Sequence, residues 1–438
     1  MNIENPSMSI LHKETKKGPM AKPMGNKIAS LLRLVEERAS SMEEKKKKKE
    51  ALVPYLPKDC ISNILIRLPL DSVQRSRFVC KPWYSIINSH VFVDAHLRRS
   101  ESVLIFLLSK KRGSLYAFPS ASILPEKPNT ISIEAKFLQT ECVPVFGLPT
   151  MDPTLKSYIQ YLEIDGGRSK VVEYNASCLG NIRATCNGLI LLDNKLKKGG
   201  LIVMNPVTRK LIALPLGTLY PPHNESYGFA SSNVTDGYKV VHLFRDELGF
   251  LSCEILILGT RLWREVNGPS FGLFSWFGYM PVSAIGALHW VPHIDRSDFI
   301  VSMDVEKEKF HTIPLPKSSR THDRIVETGD FLSFVTHEEA NQIDIWILKG
   351  LGESWTKQHS ITMGCIMDMV PLLSLRIKGD MIFKRDEDGS FYAYDFQLQV
   401  MRKVEMEKGF VPLSSSLLPH VNSLVSWSSR ESCQDVCD

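Results

Sequence analysis

The side chains that could do covalent or metal chemistry are scattered along this chain, and their spacings suit scaffolding better than catalysis. Nine cysteines, at positions 60, 80, 142, 178, 186, 253, 365, 433 and 437, include no C-x-x-C pair. An odd, dispersed set of thiols fits a reducing compartment and supplies neither a zinc-ligand spacing nor a redox pair. His289 and His293 stand four apart, but Pro292 argues against the helical turn that would bring both imidazoles to one metal. A satisfied core or surface histidine is expected instead. Asp386, Asp388 and Gly389 open like a calcium loop whose remaining oxygen ligands are missing. An Asp-Gly turn between strands at 381–385 and 391–395 accounts for them. No G-x-x-x-x-G-K-S/T phosphate loop and no G-x-S-x-G nucleophile turn occurs. The expectation is therefore no catalytic residue, no metal and no cofactor.

Residues suited to binding are easier to find. Between Asn267 and Tyr279 (NGPSFGLFSWFGY), small residues separate Phe271, Phe274, Trp276, Phe277 and Tyr279. Aromatic side chains of this kind are favoured anchors for a protein partner, although the same side chains could tuck beneath a neighbouring sheet. Tyr220 to His223 is a weaker candidate. Charge points away from nucleic acid. Residues 1–50 hold 12 Lys/Arg and 7 Asp/Glu, which accounts for the whole net charge of +5. The remaining residues are balanced, so the folded body has no broad positive field to gather a polyanion. Lys45 to Lys49 read as a solvated flank, with nuclear import as the alternative.

The elements that must position such residues change character near residue 100. From Leu56 to Arg99 the apolar period is helical. Pro57 suits a first helical turn, and Ile61, Ile64, Leu65 and Leu68 then make one stripe. Pro69 stops this helix. Asp71 with Gln74 resembles a capping box opening a second helix through Val73 and Val79. Pro82 breaks it, and a third helix carries Trp83, Ile86 and Ile87. Three short helices bury too little to be very stable alone and call for a partner.

Beyond residue 100 short alternating strands take over, in two recurring patterns. In the first a strand opens on glycine, at Gly188, Gly237, Gly286, Gly329 and Gly379. In the second an apolar strand turns back after Asn or Asp (Asn205-Pro206, Asp304, Asp395) or before tryptophan (Trp263, Trp355). The segment 201–215, LIVMNPVTRKLIALP, aligns on 300–314, IVSMDVEKEKFHTIP. Repeats of about 45–55 residues with about four strands each are the signature of propeller blades. Five units are visible, and Leu115 to Pro125 could belong to a sixth. An irregular β-sandwich is the alternative.

Residues 56–99 resemble an F-box, through the leading Leu56-Pro57, the Ile64-Leu65-x-Arg67-Leu68-Pro69 run, Val79-Cys80-Lys81-x-Trp83 and the closing Phe92. The resemblance implies a three-helix module that docks on a Skp-type adaptor, which joins a cullin scaffold. The adaptor-facing positions it implies are Leu56, Pro57, Ile61, Ile64, Leu65, Leu68, Val79, Cys80 and Trp83. Cys60 replaces the usual leucine and Asn63 the usual acidic residue. Residues 184–403 resemble the F-box-associated domain of plant proteins, through Thr185-Cys186-Asn187-Gly188-Leu189, Asn205-Pro206-x-Thr208-Arg209-Lys210, Tyr227-Gly228-Phe229, Tyr238-Lys239-Val240-Val241 and Glu353-Ser354-Trp355-Thr356.

The expected organisation is a basic tail over 1–52, an F-box over 53–99, a β-propeller-like domain over 100–412 and a C-terminal tail over 413–438. The fold class is α+β multidomain, a small helical module ahead of an all-β body. The implied function is the substrate-recognition subunit of an SCF-type ubiquitin ligase, binding the adaptor at one end and an unknown target protein at the other. Alternatives are an F-box module acting outside a ligase, or a propeller enzyme with a buried titratable cluster at its centre. No apolar run reaches the roughly 20 residues that span a bilayer, and the first residues lack the apolar core of a secretory signal. Cytoplasm or nucleus is the expected location.

Overall fold

A computed structural model describes residues 56–111, 155–164, 168–174, 178–219, 225–234, 237–270, 280–292, 296–329, 331–362, 364, 366, 368–406 and 417–427, with Arg33, Glu37 and Arg38. Helix α1, Lys58–Leu65, opens behind Pro57, whose carbonyl accepts from the Ile61 N–H at 3.1 Å. Helix α2 is Leu70–Ser76. Asp71 lies inside its first turn, because the Pro69 carbonyl already accepts from Ser72 and Val73 at 2.9 and 3.0 Å. The expected capping box therefore does not form, and the Gln74 side chain is free to reach elsewhere. Helix α3, Lys81–Asn88, has Pro82 in its first turn.

The sequence reading stops at three helices, and the structure adds a fourth. Ser89 adopts extended angles (φ −68°, ψ 142°) and accepts from the Phe92 N–H, so it ends one helix and caps the next. This helix, α4, runs His90–Arg98. Leu65, Val73, Ile87 and Phe92 are buried, one from each helix.

The β-body is six antiparallel four-stranded sheets. Blade 1 is Leu418–Val421, Ser102–Lys111, Leu155–Glu163 and Arg168–Tyr174. Blade 2 is Leu179–Cys186, Leu189–Asn194, Leu201–Asn205 and Lys210–Ala213. Blade 3 is Glu225–Ser232, Gly237–Arg245, Leu251–Ile257 and Arg264–Val266. Blade 4 is Val282–Ala284, Ala287–Trp290, Phe299–Asp304 and Lys309–Pro314. Blade 5 is Arg324–Thr328, Phe331–Glu339, Gln342–Leu348 and Thr356–Thr362. Blade 6 is Met369–Ser374, Met381–Arg385, Phe391–Asp395 and Val400–Lys403. The first strand named in each blade touches its counterparts in the two adjoining blades, so these six strands close a ring around the axis.

The fold is thus a six-bladed propeller and not a sandwich. The extra blade has a source that local pattern could not reveal. Leu418–Val421, expected to lie in a tail, pairs antiparallel with Ser102–Ile105, so the chain's late strand completes its first blade. Leu115 to Pro125 lies outside the described residues.

The repeats fall where propeller geometry needs them. The glycines open the second strand of blades 2 to 6, and Gly188, Gly286, Gly329 and Gly379 sit at positive φ in the tight turn before it. The Asn/Asp turns join the third and fourth strands of blades 2, 4 and 6, and the tryptophan version does so in blades 3 and 5. Trp263 Nε1 donates to the Pro215 carbonyl at 2.9 Å, and Trp355 Nε1 to the Pro314 carbonyl at 2.8 Å. Each tryptophan locks its blade to the preceding one.

Alternate side chains of one strand serve opposite interfaces. Val103 and Ile105 pack between blades 1 and 2, while Leu104 packs between blades 1 and 6. Burying each such side chain contributes roughly 1.5–3 kcal/mol.

Polar clamps join the apolar ones. Between blades 2 and 3, His242 is buried with Nδ1 at 2.8 Å from Glu254 and Nε2 at 3.2 Å from Glu225. Arg183 bonds Asp193 at 2.6 Å and reaches Glu225 at 3.5 Å, and Tyr227 donates to Glu225 at 3.1 Å. Burial pulls the imidazolium of His242 down, but its bonds to Glu225 and Glu254 outweigh this and leave its pKa raised. A raised histidine pKa gives stability that is full below the ordinary value of 6.5 and lost as pH climbs through the folded value. The thermal midpoint is therefore expected to fall as pH rises above the ordinary histidine value of 6.5, and His242→Gln to flatten that limb. A wild-type profile flat over this range would contradict the assignment.

Candidate functional site

Residues 62–438 belong to one compact unit, so most of the helical module shares it with the propeller. The chain direction of the strands gives the propeller two distinct faces. One carries the turns between first and second and between third and fourth strands. The other carries the turns between second and third strands and all the connections from blade to blade. Helices α2 to α4 sit on the former. Gln74 Nε2 donates to the Val207 carbonyl, in the outer turn of blade 2, at 2.7 Å. Val93 and Leu97 of α4 pack on the apolar cluster between blades 2 and 3. Glu101 accepts from the backbone N–H groups of Arg376 and Ile377, in the inner turn of blade 6, at 2.5 and 3.2 Å.

Asn205 is the hub of this junction, and it is fully buried. Its Oδ1 accepts from Val207 and Thr208 at 2.8 and 3.1 Å, forming the turn that the Asn-Pro pair promised. Its Nδ2 donates to the carbonyls of Ser423 and Val425 at 3.1 and 2.8 Å. Ser423 in turn donates to the Asn187 carbonyl at 2.6 Å, and Val425 and Trp427 join the cluster that α4 packs upon. Residues 422–427 thus form a clasp holding the helices against blade 2. The sequence reading takes Asn205-Pro206 as scaffold; its partners more than 200 residues away were beyond any local signal.

The adaptor-facing positions implied by the resemblance separate into three groups. Leu56, Pro57, Ile64, Val79 and Cys80 are exposed, Ile64 by 52% and Val79 by 63%. Ile61 and Trp83 are half-buried. Leu65 and Leu68 point inward. Leu65 has no exposed surface, and Leu68 lines a cleft of about 420 Å³ between the helices and blade 1, beside Arg67, His96, Arg99 and Glu163. A stripe at i, i+3, i+4, i+7 identifies an apolar face but cannot say which end of it the module's own core takes up. The sequence reading did not include Phe78, exposed by 89%, nor Tyr84 and Val91, which are also exposed. Cys60 and Asn63, the departures from the expected pattern, both lie on the surface of α1.

The candidates for chemistry resolve as turn and core residues. His289 is buried and bonded at both ring nitrogens, to Ser302 at 2.7 Å and the Ala284 carbonyl at 3.1 Å, and burial brings its pKa down to about 4. Asp388 caps the turn to the last blade's third strand by accepting from the Ser390 N–H at 2.8 Å. Among the described residues no group of three or more His, Cys, Asp or Glu could hold a metal, and no helix is long and apolar enough to cross a membrane. Phe271, Phe274, Trp276, Phe277 and Tyr279, with Tyr220 to His223 and His293, lie outside the described residues.

From residue 62 onward the helical module is held on the turn face of a six-bladed propeller and exposes apolar side chains. The chain matches the F-box associated beta propeller domain over residues 155–423 and the F-box domain over residues 54–94. It belongs to the F-box-associated β-propeller family, and it carries the domain pair of a substrate-recognition F-box protein. Three Arabidopsis thaliana proteins illustrate the likeness. F-box/LRR-repeat protein At2g43260 is 24% identical over 70% of this chain and 67% of its own. F-box protein At3g07870 is 26% identical over 70% of this chain and 72% of its own. F-box/kelch-repeat protein At3g23880 is 26% identical over 72% of this chain and 81% of its own.

Proposed function

We propose that the protein is the substrate receptor of a Skp–cullin–F-box ubiquitin ligase, working in the cytoplasm or nucleus and doing no covalent chemistry itself. One observation carries this reading. The helical module has a filled core in Leu65, Val73, Ile87 and Phe92, and still exposes Ile64, Phe78, Val79 and Tyr84 to solvent. Exposed apolar side chains concentrated in so short a segment favour a docking surface. Leu56 and Pro57 are likewise exposed, ahead of α1, and the adaptor is the partner we assign to each set.

The target would bind on the opposite face, where the long blade-to-blade connections emerge, since loops on a rigid scaffold commonly carry binding. Ubiquitin transfer would then follow from proximity. A clasped junction holds docked target lysines near the conjugating enzyme, and fixed geometry raises effective concentration. The buried ionic cluster at His242 lies between two blades, and its members satisfy one another, which supports a clamp rather than a catalytic centre.

The test is co-purification of the full chain with a Skp-type adaptor and cullin, followed by addition of activating and conjugating enzymes. Retention of both proteins, lost in Leu56→Ala/Pro57→Ala, is the expected result. Adaptor without cullin would favour a module acting outside a ligase. No adaptor binding by a folded chain would remove the assignment.

A further inference from the structure

We infer that the target is held at one corner of the loop-bearing face, over blades 2 and 3, and that the segment bound there is acidic with bulky apolar side chains. This rests on the receptor reading above and adds the chemistry of its substrate.

The first observation is where exposed apolar surface falls. Among the described residues, the large apolar side chains exposed on this face come from three successive connections: Leu196 in the middle turn of blade 2, Leu216 and Leu219 on the way to blade 3, and Leu248 and Phe250 in the middle turn of blade 3. The described turns of blades 4 to 6 on the same face add none. Leu248 is 80% and Phe250 64% exposed. A stable fold has no internal reason to gather five such groups in one place, and a patch of this kind marks an interaction site.

Two of the three connections touch, and the segments are held in place. A Cβ on Gly199, in the middle turn of blade 2, would stand 2.1 Å from Leu219 Cδ2, so that turn and the 214–219 connection press together. The connection is pinned from below. Glu254 accepts from the Thr218 N–H at 2.9 Å and from its hydroxyl at 3.1 Å while bonded to His242. Asp246 holds the blade 3 turn by accepting from the N–H groups of Leu248 and Phe250 at 3.0 and 2.8 Å. Preorganised apolar anchors lose little entropy on binding.

The second observation is charge. The blade 2 turn reads Lys195-Leu196-Lys197-Lys198, with all four side chains exposed and no acidic residue among them. The middle turns of blades 5 and 6 carry Glu338-Glu339 and Asp386-Glu387-Asp388, where Glu338 pairs with Lys317 and Asp386 with His322. The blade 2 turn is therefore a basic spot beside the apolar patch. Exposed Glu247 in the blade 3 turn sets a direction, with acidic residues of the partner over blade 2 and apolar ones over blade 3.

The experiment selects random linear peptides displayed on phage against the full-length chain, without adaptor, and measures the enriched consensus as a labelled synthetic peptide. The expected consensus combines Asp or Glu with Leu, Phe or Trp. Its affinity should fall about tenfold or more in Lys197→Glu/Lys198→Glu and in Leu248→Ser/Phe250→Ser, and weaken with added salt. Glu339→Gln/Glu387→Gln should leave it unchanged. All these residues are exposed, so melting curves should match wild type and separate lost binding from lost folding. A consensus without acidic bias, an affinity indifferent to both blade 2 and blade 3 variants, or no enrichment at all would overturn the inference. None of these outcomes depends on adaptor binding, so the receptor reading stands or falls separately.

Discussion

A chain ending before Leu417 should lose cooperative folding of the propeller, whereas one ending after Trp427 should keep it. Residues 418–421 form the inner strand of blade 1 and pair with Ser102–Ile105. They also touch the inner strands of blades 2 and 6 on either side, so removing them opens the ring at two contacts together. The second strand of blade 1 would then present an unpaired edge, and the acceptors of the Asn205 amide would vanish with Ser423 and Val425. The apolar loss is also large, because Leu424 and Val425 are buried and His420 is enclosed beside Tyr161. Interior groups of this size cost about 2–5 kcal/mol each when deleted, against a total stability of about 5–15 kcal/mol for a typical domain. Calorimetry and limited proteolysis of the two truncations provide the check. A single sharp transition near the wild-type temperature in the shorter chain would contradict the closure described here.

Asn205→Ala should be the most damaging single polar substitution, costing about 3 kcal/mol or more. Four hydrogen bonds are lost, and the carbonyls of Ser423 and Val425 and the N–H groups of Val207 and Thr208 are left to find other partners. Asn205→Asp separates the two roles of the side chain. A carboxylate can still accept from Val207 and Thr208, but its second oxygen would face two carbonyls. Burial and those carbonyls raise the pKa of such a group, so the variant should be destabilised at neutral pH and recover partly as pH falls and a carboxyl proton can be donated. Denaturant titrations of both variants at two pH values test this. Equal loss at both pH values in Asn205→Asp would show that the clasp carbonyls are not the acceptors that matter. Because Gln74 bonds the same turn through Val207, the helices should also loosen, detectable as faster hydrogen exchange in α2 and α4.

The features legible in the sequence were those set by near neighbours. Gly286 and Gly379 mark a turn whose positive φ only the local backbone demands. The Asn205-Pro206 and Asp304 turns are held by side chains bonding two or three residues on. The helical stripe from Ile61 to Leu68 is likewise a matter of period. The features that stayed hidden depend on distance along the chain. Blade 1 is completed from residues 418–421, so its period cannot be counted from the N-terminal side. Leu65 and Leu68 belong to the same stripe as Ile64, and only the packing of neighbouring helices and of blade 1 turns them inward. The fourth helix was not separated from the third, because the cap that divides them is the Ser89 hydroxyl accepting from the Phe92 N–H. The corner formed by Leu196, Leu219, Leu248 and Phe250 unites three connections whose individual compositions are unremarkable.

The most direct test of the receptor reading is a calorimetric titration of the purified full chain with a purified Skp-type adaptor, comparing wild type with Ile64→Asp/Val79→Asp and with Leu262→Asp. Leu262 is exposed on the propeller and serves as a control for a charge placed on an apolar surface position. Wild type and Leu262→Asp should bind alike, and the double variant should bind about 100-fold or more weakly, as expected for central apolar anchors replaced by charge. Failure of the folded wild-type chain to bind, or equal binding by the double variant, would contradict the account.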